Sequence, residues 1–162
     1  MSSDLISAEI DTHVESVGKP TIDSPLRNTS SFVDDSERVL IDTSMKHFEG
    51  CAAGTSFPFS LELAGPRSKI FFDPSKTKCG IVTCGGLCPG INDVIRGIVL
   101  QMYFMYGVRH IYGITFGLQG FIPRYRHPLI ELTPIFVEHI HELGGTVLGS
   151  SRGAQEIPEV VD

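Results

Sequence analysis

The residues best placed to do chemistry lie in one short run, Thr83-Cys84-Gly85-Gly86-Leu87-Cys88-Pro89-Gly90-Ile91-Asn92. It joins an apolar stretch to the start of a helical period. Backbone amides in such a turn, with the positive end of the following helix dipole, make a site for an anion such as a phosphate. Glycine permits the close approach because it has no Cβ to meet the ligand. Taken alone, the same run also reads as a tight strand-to-helix turn that binds nothing. Two familiar phosphate loops fail on spacing. A Walker loop needs Gly-Lys followed by Ser or Thr, and no lysine follows Lys78. A dinucleotide fingerprint needs an acid after the second strand to hold a ribose, where this sequence has Ile114-Thr115-Phe116.

A second candidate is Gly149-Ser150-Ser151-Arg152-Gly153. Small hydroxyl residues and an arginine beside glycines can wrap a phosphate, the guanidinium giving paired charge-assisted hydrogen bonds. Its plain alternative is a solvated loop after a strand. Cys84 and Cys88 stand four apart with no second pair at zinc-finger spacing, so they read as packing residues rather than zinc ligands. His139 and His141 are two apart on a predicted helix, face different directions, and read as surface residues.

These loops need strands and helices to hold them. Cys79 to Thr83 has the apolar character of a buried parallel strand. With Asn92 as N-cap, apolar residues recur at Val94, Ile95, Ile98, Val99, Met102, Tyr103 and Tyr106, and Gly107 suits a helix C-terminus, which predicts one helix of about four turns. His110 to Ile114 reads as the next strand of a right-handed βαβ unit. Thr133-Pro134 opens a predicted helix through Ile135, Val137, Ile140 and Leu143 to Gly144-Gly145. Thr146-Val147-Leu148 reads as a further strand. The alternation predicts an α/β fold with a doubly wound, mostly parallel sheet and ligands at the carboxyl ends of its strands.

Upstream the signal thins. Residues 1–35 are rich in Ser, Thr and Asp with Pro20 and Pro25, and read as a mobile arm. Residues 36–65 read as an extension packed on the domain edge. Val39-Leu40-Ile41 is a short strand there, and Phe57, Phe59, Leu61 and Leu63 alternate as a half-buried one. The α/β domain proper is assigned to residues 66–162. A length of 162 residues suits one ordinary domain plus a tail. A formal charge of -6 gives no electrostatic reason for a nucleic-acid or anionic-membrane partner. No secretory leader or membrane span is read, so a cytoplasmic protein with reduced thiols is expected from its four cysteines.

Several of these segments, in order, resemble the 6-phosphofructokinases. The run Cys79 to Gly97 is similar to that family's first strand, loop and helix, most of all in the branch with plant, trypanosomatid and spirochaete enzymes. Ala64-Gly65-Pro66-Arg67, Phe71-Phe72-Asp73-Pro74, Tyr112-Gly113, Phe116-Gly117-Leu118-Gln119-Gly120 and Gly144 to Gly153 look like it too. The resemblance implies a Rossmann-type fold, here stopping after the first few βα units. It also implies an ATP-dependent phosphoryl transfer to the 1-hydroxyl of fructose 6-phosphate. The donor is expected against Gly85 and Gly86, with Arg152 and Gly153 contacting the nucleotide. Arg96 matches a family arginine but reads here as a solvated helix residue. The family's Gly-Gly-Asp magnesium loop and Thr-Ile-Asp-Asn-Asp catalytic segment would lie past Asp162. No catalytic or metal residue is therefore expected in this chain, Mg2+ would be held elsewhere, and the chain alone is expected not to turn over. A pyrophosphate-dependent enzyme and a non-catalytic phosphate- or nucleotide-binding module are the alternatives. The full-length protein is expected to be a homo-oligomer.

Overall fold

The computed structural model describes residues 12–26, 31–41, 60–151 and 157–161. They divide into two compact units, Met1–Phe71 and Phe72–Asp162.

In the first unit, strand β1 (Ile22–Asp23) pairs antiparallel with β4 (Lys69–Ile70), and β2 (Arg38–Leu40) pairs antiparallel with β3 (Ser60–Glu62). Some of the stretch read as an arm is thus strand, held by Ile22 opposite Ile70 and by a Lys69–Asp23 ion pair. The expected strand at Val39 is present. Of the proposed alternation at Phe57 to Leu63, Phe57 and Phe59 lie outside the described residues. Arg38 binds the Ser60 hydroxyl at 2.7 Å and the Thr12 hydroxyl at 3.1 Å, tying residue 12 to the β2–β3 pair.

The second unit carries the predicted βαβ start. Strand β5 (Lys78–Val82) pairs parallel with β6 (His110–Ile114), in register from Lys78–His110 to Val82–Ile114. Helix α1 (Ile91–Leu100) crosses between them, burying Ile95 and Val99 at helical spacing. Its N-cap is Gly90, not Asn92. Asn92 lies on the buried side of the helix, as its spacing of three from Ile95 requires. The helix then widens into a π-helix (Gln101–Tyr106) instead of continuing as α. There Met102, Tyr103 and Tyr106 pack against the core while Phe104 and Met105 stay exposed. Gly107 ends the helix at φ 75°, as its position predicted.

Three expectations change. Strand β7 (Leu129–Glu131) joins β6 antiparallel, so the three-stranded sheet, ordered β5-β6-β7, is mixed. The helix predicted from Thr133 is a chain of turns with one 3-10 segment (Ile140–Glu142). Thr133 does cap as expected, accepting from Phe136 N at 3.1 Å, but Ile135 stays 84% and Leu143 58% exposed, so its apolar period buries only part of its face. Thr146-Val147-Leu148 is a turn and not a strand. The amides of Val147 and Leu148 go to the Asn92 and Thr146 side chains rather than to a neighbouring strand. Leu148 still joins the core with Ile95, Val99, Val108, Ile111, Leu132, Val137 and Ile140.

Candidate functional site

The glycine loop leaves the carboxyl end of β5 and enters α1, where the sequence placed it. Its anchor is Thr83. The Thr83 hydroxyl donates to the Gly149 carbonyl at 2.8 Å and lies 3.0 Å from the Thr146 hydroxyl. A hydroxyl carries one proton. With that proton spent on Gly149, Thr146 must be the donor between the two side chains. The Thr146 oxygen in turn accepts from Leu148 N at 3.2 Å. Farther along, the Ser150 hydroxyl donates to the Gly85 carbonyl at 2.6 Å. Asn92, 2% exposed, donates to the Leu143 carbonyl and accepts from Val147 N, both at 2.9 Å. The two candidate loops are therefore one laced unit.

Gly85 sits at φ +93°, a backbone that L side chains rarely adopt, whereas Gly86 does not. A Cβ built on either would meet nothing within 4 Å. Residues 84–90 are all exposed, and no side chain caps α1. The surface over the two glycines is open to a ligand. Behind it runs a third segment. Phe116 N donates to the Leu148 carbonyl at 2.8 Å, and a Cβ on Gly117 would lie 3.2 Å from the Ser151 backbone nitrogen and 3.3 Å from the Thr83 carbonyl. Gly117 lets these three segments close up, because neither neighbour is free to withdraw.

Of the expected site residues, Gly85 and Gly86 stand together in the open turn. Arg152 and Gly153 lie outside the described residues, but Ser150 and Ser151 bring their loop to the glycine turn. Cys84 and Cys88 are free and exposed, not the packing residues their type suggested, because the loop holding them lies on the surface. Cys79, half-buried in β5, has its thiol pushed up by burial. His139 and His141 are exposed, as read, although not on a regular helix. Arg96, read as solvated, lies partly covered with its Nε 3.3 Å from the Glu138 carbonyl. The sequence reading missed the lacing roles of Thr83, Thr146 and Asn92. The signal for Asn92 was available: a polar residue in phase with Ile95 and Val99 has to be satisfied inside the fold.

Among the described residues no group of His, Cys, Asp and Glu could hold a metal ion, and no helix is long and apolar enough to cross a membrane.

The fold and the site together define an α/β protein with an open glycine loop between the first of two parallel strands and its crossover helix. The phosphofructokinase family profile matches residues 78–161. The chain is 42% identical over 159 residues to the ATP-dependent 6-phosphofructokinase of Borreliella burgdorferi, covering 94% of this chain and 35% of that protein. It is 50% identical over 105 residues to the ATP-dependent 6-phosphofructokinase of Trypanosoma brucei brucei, covering 65% of this chain and 22% of that one. It is also 39% identical over 145 residues to ATP-dependent 6-phosphofructokinase 2 of Arabidopsis thaliana, covering 88% and 31%. The chain belongs to the phosphofructokinase family, and spans about a third or less of the length of these relatives.

Proposed function

We propose that this chain carries the phosphoryl-donor cradle of an ATP-dependent 6-phosphofructokinase of glycolysis, a cytoplasmic enzyme that phosphorylates the 1-hydroxyl of fructose 6-phosphate. The amides around Gly85 and Gly86 meet the donor's phosphates. Ser150 holds the turn by its carbonyl, and Arg152 and Gly153 contact the nucleotide from the adjoining loop. The sheet is the first part of a doubly wound one, and the complete protein is a homo-oligomer. The observation that carries this reading is the lacing of the open Gly85-Gly86 turn to the 149–151 loop inside the family match.

Phosphoryl transfer depends chiefly on positioning and on neutralising charge at the phosphates. The cradle supplies both in part, through fixed amides and the α1 dipole. Magnesium would neutralise the donor's charge in the reaction. The described residues do not form a site for it, and the family resemblance assigns its ligands elsewhere.

The test is calorimetric titration of the chain with ATP and with pyrophosphate, with fructose 1,6-bisphosphate formation followed in the same samples. Saturable ATP binding that exceeds pyrophosphate binding supports the reading. Tighter pyrophosphate binding moves the assignment to the pyrophosphate-dependent enzyme. Binding of neither overturns it, and the turnover measurement separates a catalytic chain from a binding module.

A further inference from the structure

The thiols of the second unit divide by environment. Cys79 lies half-buried in β5 with its thiol pushed up by burial, whereas Cys84 and Cys88 are exposed in the glycine loop, and none of the three is in a disulfide. The thiolate is the attacking species, and its reactions follow access as well as ionisation. The reactive thiols are thus those that bracket Gly85 and Gly86, whose Cβ side faces open space. Cys84 adjoins Gly85 and Cys88 lies two residues past Gly86, so a group attached at either stands beside that space.

We propose that Cys84 and Cys88 are modification sites through which low-molecular-weight disulfides shut the donor cradle, an inference that rests on the phosphate-binding reading of the same loop. In the step, a loop thiol loses its proton and attacks one sulfur of the disulfide. A protein–S–S–R bond forms, the R–S–S–R bond breaks, and the departing thiolate takes up a proton. The loop thiol is oxidised and the reagent reduced, with one equivalent of free thiol released. A cap bearing carboxylates, such as the glutathionyl group, fills the space over the glycines and repels a phosphate approaching the same amides. The converse also holds: a phosphate donor seated in the loop shields both thiols.

The experiment uses the whole chain with Cys51→Ser, treated with glutathione disulfide with and without ATP, and read by mass mapping and by ATP titration before and after treatment. Capping is expected at Cys84 or Cys88 well ahead of Cys79, slowed by ATP. The capped protein is expected to bind ATP at least about tenfold more weakly, with affinity restored by a reducing dithiol. A Cys84→Ser/Cys88→Ser variant should show no change in ATP affinity on treatment. Capping at the loop with affinity held within about twofold overturns the gate while leaving the cradle intact, as does preferential capping of Cys79. An untreated chain that binds neither ATP nor pyrophosphate refutes the cradle, and the gate with it.

Discussion

Replacing Gly86 by alanine separates a phosphate cradle from a turn that binds nothing. Gly86 is not at positive φ, and an added Cβ meets nothing within 4 Å. In the free protein the substitution only stiffens the unfolded chain, which stabilises by about 0.4–1 kcal/mol. In the proposed complex the same methyl would stand where the donor's phosphate sits. Amide-to-oxygen hydrogen bonds are about 2.9 Å long, while a methyl carbon wants about 3.5–4.0 Å to any heavy atom. Seating both lengthens or breaks those bonds, and loss of at least about tenfold in affinity, roughly 1.4 kcal/mol, is expected. Gly86→Ala should therefore raise the unfolding temperature slightly and weaken ATP binding in one and the same preparation. Gly85→Ala is the contrast: at φ +93° it carries backbone strain of about 1–2 kcal/mol and should lower both. Calorimetric titration and thermal unfolding read the two effects. Gly86→Ala binding ATP as the parent does, with unfolding unchanged or raised, refutes the placement of phosphate over Gly86. A fall of several degrees refutes the claim that the position is sterically free.

Asn92→Ala strips the partners from the Leu143 carbonyl and the half-buried Val147 amide, and should destabilise by about 1–3 kcal/mol in thermal or denaturant unfolding. Ser150→Ala removes only the bond to the Gly85 carbonyl, so stability should fall by no more than about 1 kcal/mol while ATP affinity drops, as a positioning residue requires. Gly113→Ala forces a Cβ against the buried Leu148 side chain and should cost about 1–3 kcal/mol. Gly120→Ala meets the Thr115 carbonyl, which cannot rotate away, and should cost more than Gly113→Ala in the same assay. The Asp73 carboxyl is held below its ordinary value, first by the Ser75 hydroxyl at 2.7 Å and then by the Ser75 amide at 3.0 Å. Because the folded value is depressed, its contribution is present above the unfolded value of about 3.8 and fades as pH falls through the folded one. NMR titration should find it low, and Ser75→Ala should bring it back toward the ordinary value.

The elements that were legible in the sequence are those with several residues obeying one period. β5 and β6 each carry four consecutive uncharged, largely apolar residues after Lys78 and His110, and Ile95 and Val99 set the inward face of α1. β7 escaped because Leu129–Glu131 has three residues, of which only Ile130 is even half-buried, too few to show alternation. The region 133–143 misled in the opposite sense. Its cap and stop signals are genuine, and Val137 and Ile140 are buried, but Ile135 is not. β-branched residues at those positions lend a helix little support of their own. Between β5 and α1 the glycine turn itself was legible, because glycine type and spacing carry that meaning. The bonds of Thr83, Thr146 and Ser150 were not, since they join residues more than sixty apart in sequence.

That mode of attachment bears on how the loop works. A turn fixed by a strand ladder would spend its amides on the ladder, and the glycine loop would have fewer to offer an anion. Here the glycine turn and the 146–150 segment are joined instead by hydroxyl and carboxamide side chains, and the backbone group claimed at Gly85 is its carbonyl, not its amide. In the cradle proposed above, drawing the Gly85 carbonyl to Ser150 takes one acceptor of the turn out of competition with a phosphate. Side-chain bonds of this kind are each worth only about 0.5–1.5 kcal/mol net. On the proposed reading, a donor bridging both segments would therefore add a substantial fraction of the local stability.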